Sequence, residues 1–181
     1  MQLAYIIGTY PEPSETFIQR EMEGLRERRH KIHIFSLFAP KGGPLDGLAY
    51  GWVSPFEKLQ LQWHRTTAVT KLARKWRSEF SVRKIDAVIA HFGSLPSTVA
   101  LEAVGDLPFI LSLHARDIYV EPELLKEKVD RATAVVTCTR ANVEYLRAQF
   151  PWANERIQLI YHGLPRHWLD AAVPERSRGD E

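Results

Sequence analysis

The chain has 181 residues, 45% of them hydrophobic, which suits one domain of ordinary size with a continuous core and excludes a largely disordered chain. No apolar run approaches the roughly 20 residues that a membrane-spanning helix needs, and the lone Cys138 excludes an internal disulfide. The formal net charge of +2 hides an asymmetry: positions 58–84 carry eight Lys or Arg against Glu79 alone, a local +7 that leaves −5 elsewhere.

The first apolar run, Leu3 to Ile7, is short, with no basic flank and no cleavage site, so it predicts a strand rather than a signal peptide. With the single cysteine, that suits a reducing, cytoplasmic setting. Ser14 offers a cap to a helix running to about Arg29, with Ile18, Met22 and Leu25 as its inward stripe. Ile32 to Phe38 is apolar on both parities and predicts a strand buried on both faces.

An irregular loop is expected between Pro40 and Pro55, most flexible at 41–44, with a short strand at Tyr50 to Val53. From Lys58 to about Arg83 the spacing predicts one amphipathic helix burying Val69, Leu72, Ala73, Trp76 and Phe80. Its Lys and Arg residues, interleaved with Trp63, Trp76 and Phe80, suit an anionic membrane surface, or form simply the solvated side of a core helix. Nucleic acid is not expected, because no recognition module accompanies the charge.

From Asp86 the alternation is regular. Strands are expected at Ala87 to Ala90, Phe109 to Leu113, Ala134 to Cys138 and Ile157 to Tyr161, and helices around Pro96 to Val104, Pro122 to Arg131 and Ala141 to Phe150. This predicts an α/β fold: a doubly wound, mostly parallel sheet with helices on both faces, Rossmann-like. The tail after position 170 is polar and aperiodic and predicts a linker or disordered segment over 171–181.

In such a sheet the carboxyl ends of the strands meet at one edge, where ligands bind. The residues at those ends are therefore the candidate site: Gly8 and Thr9, His91 and Gly93, His114, and His162 and Gly163. Gly8 to Ser14 joins strand to helix without a GxGxxG or a P-loop, so free amides there suit an anion or a sugar hydroxyl, or form only a Pro-stiffened turn. His91 and His114 can hydrogen-bond a polar ligand or be structural. Asp117 can accept from a hydroxyl, orient His114 or cap the next segment. Ser94 and Ser97 read first as caps. No close His or Cys spacing supports a metal, and Cys138, inside an apolar run, reads as a buried small hydrophobe.

The stretch Tyr10-Pro11-Glu12-Pro13-Ser14-Glu15-Thr16-Phe17-Ile18, followed by Glu21 and Leu25, resembles the opening of bacterial family 4 glycosyltransferases of the exopolysaccharide and colanic acid type. Further matches follow in family order: Ala90-His91-Phe92-Gly93, Ser112 to Ile118, Val136 to Thr139, and Ile157 to Leu164. The resemblance implies the N-terminal, acceptor-side half of a GT-B fold over 1–170, without the nucleotide-sugar-binding C-terminal domain, so that the fragment alone would be inactive. It implies retaining transfer from a nucleotide-diphosphate sugar to a glycan or lipid-linked acceptor in surface polysaccharide synthesis, with no metal or other cofactor and no protein nucleophile. His114 matches the family's histidine beside the transferred sugar. Gly8, Thr9, Ser14, His91, Gly93, Asp117, His162 and Gly163 would bind acceptor or donor. Ala115, where the family has Gly, and His162, where it has Asn, depart from the pattern. A non-enzymatic glycan- or anionic-lipid-binding module is the alternative.

Overall fold

The computed structural model describes residues 1–39, 49–63 and 65–163; the loop expected at 41–44 and the tail expected at 171–181 lie outside them. Among the described residues seven parallel strands form one sheet: β1 (Gln2–Thr9), β2 (Lys31–Phe38), β3 (Ala49–Trp52), β4 (Ala87–His91), β5 (Phe109–Leu113), β6 (Ala134–Thr137) and β7 (Ile157–Leu159). Their spatial order is β3-β2-β1-β4-β5-β6-β7, so the chain leaves β1 in one direction and resumes at β4 in the other. The ends of β1 and β4 thus flank the switch point where open α/β sheets bind ligands.

The helices are α1 (Thr16–Glu27), α2 (Pro55–Trp63), α3 (Arg65–Val82), α4 (Leu95–Ala103), α5 (Ala115–Tyr119), α6 (Leu125–Arg131) and α7 (Arg140–Gln149). Alternation along β1 divides the core. Leu3, Tyr5 and Ile7 pack with Ile18 and Met22 of α1, whereas Ala4 and Ile6 belong to the larger core formed with α3, α4, α6 and α7. Residues 3–7 of β1 are all buried, which is why that strand reads as a continuous apolar run.

Several boundaries differ from the sequence reading. The helix expected over Lys58 to Arg83 is two helices, and the first begins earlier because Ser54-Pro55-Phe56-Glu57 forms a capping box. Its Glu57 carboxylate accepts from the Ser54 amide at 2.7 Å, and the Ser54 hydroxyl accepts from the Glu57 amide at 3.2 Å. The expected inward face of α3 is buried as read; Trp76 and Phe80, each 2% exposed, contribute about 1.5–3 kcal/mol apiece. Ser14 is not a side-chain cap: it lies in a 3-10 turn, Pro13–Glu15, that precedes α1. The helix expected from Pro122 starts at Leu125, because Leu124 adopts a left-handed conformation with φ 46°. The short α5 was not anticipated.

The basic stretch is also less free than its composition suggests. Arg65 pairs with Glu123, Lys75 with Glu57 and Arg83 with Glu79, while Arg77 donates to the Glu102 and Ala103 carbonyls. Beside the exposed Lys58, α2 presents three large apolar side chains to solvent: Phe56, Leu59 and Trp63, 68%, 52% and 74% exposed, recur at helical spacing. Among the described residues no helix is long and apolar enough to cross a membrane.

Candidate functional site

A cleft of about 540 Å³ opens at the carboxyl edge of the sheet. The end of β1 supplies Gly8 and Thr9, the following turn Glu12, Ser14 and Glu15, the β4–α4 connection Phe92 and Ser94, the first turn of α4 Pro96, and the end of β5 with α5 supplies His114, Arg116 and Asp117. Of the residues proposed from sequence, the cleft brings together Gly8, Thr9, Ser14, His114 and Asp117.

His91, Gly93, His162 and Gly163 are not among its walls. His91 is 1% exposed, stacks on Tyr5 at 5.5 Å between ring centroids, and has Nε2 3.7 Å from Glu21 Oε1. Neither of its ring nitrogens makes a hydrogen bond to another described residue. Gly93 lies where the β4–α4 connection meets α5; a Cβ there would come within 2.9 Å of Asp117 Cβ and 3.1 Å of Leu113 Cδ2. His162 stacks face to face on Phe17, centroids 4.1 Å apart and planes at 5°, and Gly163 stands in open space.

Phe17, on the first turn of α1, joins these groups. Its ring also lies 5.0 Å from that of His114 and 6.2 Å from that of His91. His114 is further flanked by Phe92 at 4.8 Å and His162 at 5.5 Å. Burial, with the neighbouring His91 and His162, holds His114 down at about 4, so its imidazole is neutral near pH 7 and can donate through one nitrogen and accept through the other. Behind this layer the Tyr5 hydroxyl donates to Glu21 Oε1 at 2.6 Å. Burial raises the Glu21 carboxyl, but His91 and that hydroxyl outweigh it and leave it below its ordinary range.

Asp117 acts as a cap on its own loop: Oδ2 accepts from the His114 amide at 3.0 Å, which fixes the backbone at the end of β5. Its carboxyl is raised by burial against the pull of the His114 and Gly93 amides. Glu15 is raised by burial and by Glu12. Among the described lining residues the one Lys or Arg is Arg116, held by Glu121 through bonds of 2.7 and 3.2 Å. Glu12, Glu15, Asp117 and Glu121 give the described walls of the cleft an excess of carboxylates, which are acceptors for hydroxyl donors.

Sequence reasoning missed Lys128, Phe17 and Glu21 as parts of the site. Lys128 is fully buried and its ammonium donates to the carbonyls of Gly93 at 2.6 Å, Ser94 at 3.3 Å and Glu123 at 2.8 Å, pinning the connection that carries Phe92 and Ser94 into the cleft. Its signal was a lysine beside Leu125 and Val129 on the inward stripe of a helix. Phe17 and Glu21 sit four apart on α1, hence on one face. Ser94 occupies the N-cap position of α4 but its side chain makes no capping bond, and the Ser97 hydroxyl instead donates back to the Ser94 carbonyl at 2.8 Å. Cys138 is not a core hydrophobe: β6 ends at Thr137, and the half-buried thiol lies beside His114 and His162.

The sequence profile of glycosyltransferase family 4 matches residues 14–167. The chain belongs to glycosyltransferase family 4. No curated protein matches it. Among solved structures, this family 4 chain is similar to a glycosyltransferase from Rickettsia africae ESF-5, with a TM-score of 0.68 and 15% identity over 96% of this chain and 46% of that one. It is also similar to the apo form of the lipopolysaccharide outer core galactosyltransferase WaaB, with a TM-score of 0.65 and 14% identity over 91% and 46% of the two chains. A sucrose-phosphate synthase from Thermosynechococcus elongatus aligns with a TM-score of 0.61 and 13% identity over 93% of each chain. At such identities the likeness shows the Rossmann-like α/β fold alone. The family 4 chain spans about half the length of the Rickettsia africae and WaaB chains.

Proposed function

We propose that the chain is the acceptor-side, N-terminal domain of a retaining glycosyltransferase of the exopolysaccharide or colanic acid type. A second domain would bind the nucleotide-diphosphate sugar, and the sugar would pass to a glycan or lipid-linked acceptor in surface polysaccharide synthesis at the cytoplasmic face of a membrane. The observation that carries this reading is the hydroxyl-favouring cleft at the β1/β4 switch point, with the neutral imidazole of His114 in its wall.

In this reading His114 holds a sugar hydroxyl, and Asp117 positions its backbone. Gly8 leaves the strand end open, while Thr9 and Ser14 offer hydroxyls to the acceptor. His91 and Gly93 act from behind the cleft, through Phe17 and through the close approach of the β4–α4 connection to α5. His162 and Gly163 would face the donor side. Transfer itself would use no metal and no protein nucleophile, so rate enhancement would come from positioning and from stabilising the departing diphosphate. The exposed Phe56, Leu59 and Trp63 of α2 support peripheral membrane contact.

The test is His114→Ala in the full-length protein. Turnover is expected to fall roughly ten- to a thousand-fold, the loss of one transition-state hydrogen bond, with thermal stability nearly unchanged. Near-normal turnover by a folded variant would remove His114 from the site. A module that only binds glycan would show binding without transfer in the wild type as well.

A further inference from the structure

We propose that His114, Cys138 and His162 form a binding site for a borderline-soft divalent metal ion, Zn²⁺ foremost, at the carboxyl ends of β5, β6 and β7. One potential ligand atom from each, two imidazole nitrogens and the thiol sulfur, lie within 4.8 Å of one another. Zinc bonds of about 2.0–2.1 Å to nitrogen and 2.3 Å to sulfur place the ligands of a tetrahedral shell about 3.3–3.6 Å apart, so closing this trio needs shifts of an ångström or so. Nitrogen and thiolate sulfur are the donors that zinc prefers over harder cations such as Mg²⁺.

Three features set this trio apart from a chance meeting of polar groups. His114 Nε2 is buried and makes no hydrogen bond to another described residue. Cys138 is unpaired and half-buried, in a position reached from the edge of the sheet. Phe17 stacks on His162 and abuts His114, so both rings are held in place by one aromatic side chain before any ion arrives. His162 is exposed and gives an ion an entry path. Binding would release the Cys138 proton to solvent and leave a fourth coordination position for water. Because His114 also lines the cleft, occupancy would withdraw that ring from any ligand there.

The inference does not rest on sugar transfer, since binding is read without turnover. The reduced, chelator-treated full-length protein is titrated with Co²⁺ as a coloured stand-in, then with Zn²⁺ in competition. One equivalent is expected to give a thiolate-to-cobalt charge-transfer band and the visible bands of a tetrahedral site, and Zn²⁺ should abolish both. Cys138→Ser should remove the charge-transfer band of that equivalent, and His162→Ala, at an exposed position, should weaken binding by roughly tenfold or more while the fold is retained. Absence of such an equivalent at micromolar metal, or its persistence with unchanged band and affinity in either variant, would overturn the proposal.

Discussion

Replacing Lys128 by Met tests whether a buried ammonium holds the β4–α4 connection in place. The bonds to the Gly93 and Glu123 carbonyls, at 2.6 and 2.8 Å, involve a charged donor and contribute about 1.5–3 kcal/mol each, so their loss costs about 3–6 kcal/mol. Burial opposes them, holding the ammonium down at about 8 instead of its ordinary 10.5, a net penalty on the charged form of roughly 3 kcal/mol. Near pH 7 the two largely offset, and the variant should lie within about 3 kcal/mol of the wild type. The difference must then depend on pH. A group whose folded value is depressed gives stability that is complete above its unfolded value, here near 10.5, and lost as pH falls through its folded value, here about 8. From pH 7 to pH 10 the wild type should therefore gain roughly 2–3 kcal/mol over Lys128→Met, or about 5–10 °C in Tm at this size. Urea unfolding of both proteins at several pH values in that window isolates the effect, since all other groups titrate in both. Parallel stability curves would refute the assignment of a depressed, buried ammonium.

Gly93→Ala places a Cβ 2.9 Å from Asp117 Cβ, an atom fixed directly to the backbone of α5, so a loss of about 1–3 kcal/mol is expected; an unchanged melting temperature would show that the β4–α4 connection yields at no cost. The double variant Phe56→Ser, Trp63→Ser should weaken partitioning onto anionic phosphatidylglycerol vesicles at least roughly tenfold in a sedimentation assay while leaving stability unchanged, because both side chains stand in solvent; equal partitioning would dismiss α2 as a membrane contact.

The strands were legible because a parallel sheet covered on both faces demands nearly unbroken apolar runs, as in Leu3 to Ile7 and Phe109 to Leu113; His91 and His114 mark the ends of β4 and β5, whereas β7 stops at Leu159, short of His162-Gly163. The start of α2 is written in Ser54-Pro55-Phe56-Glu57, a capping box that lies ahead of Lys58, where the basic run begins. The site resisted because its logic lies across strands. His114, Cys138 and His162 recur every 24 residues, one strand-and-helix unit at a time, and no local ligand pattern can show a meeting produced only when three units are laid side by side. Which strand-end residue turns into the cleft was equally hidden. His91 is drawn inward by Tyr5 and Glu21, while Phe92, with φ 66°, enters the wall in its place. That left-handed conformation is costly for a bulky residue, and it persists where the surroundings enforce it: Asp117 packs against Gly93 on one side and Lys128 grips the Gly93 carbonyl on the other. The cleft wall is thus shaped by a buried lysine 36 residues away in sequence from Phe92, which joins the stability of this connection to whatever ligand the cleft receives.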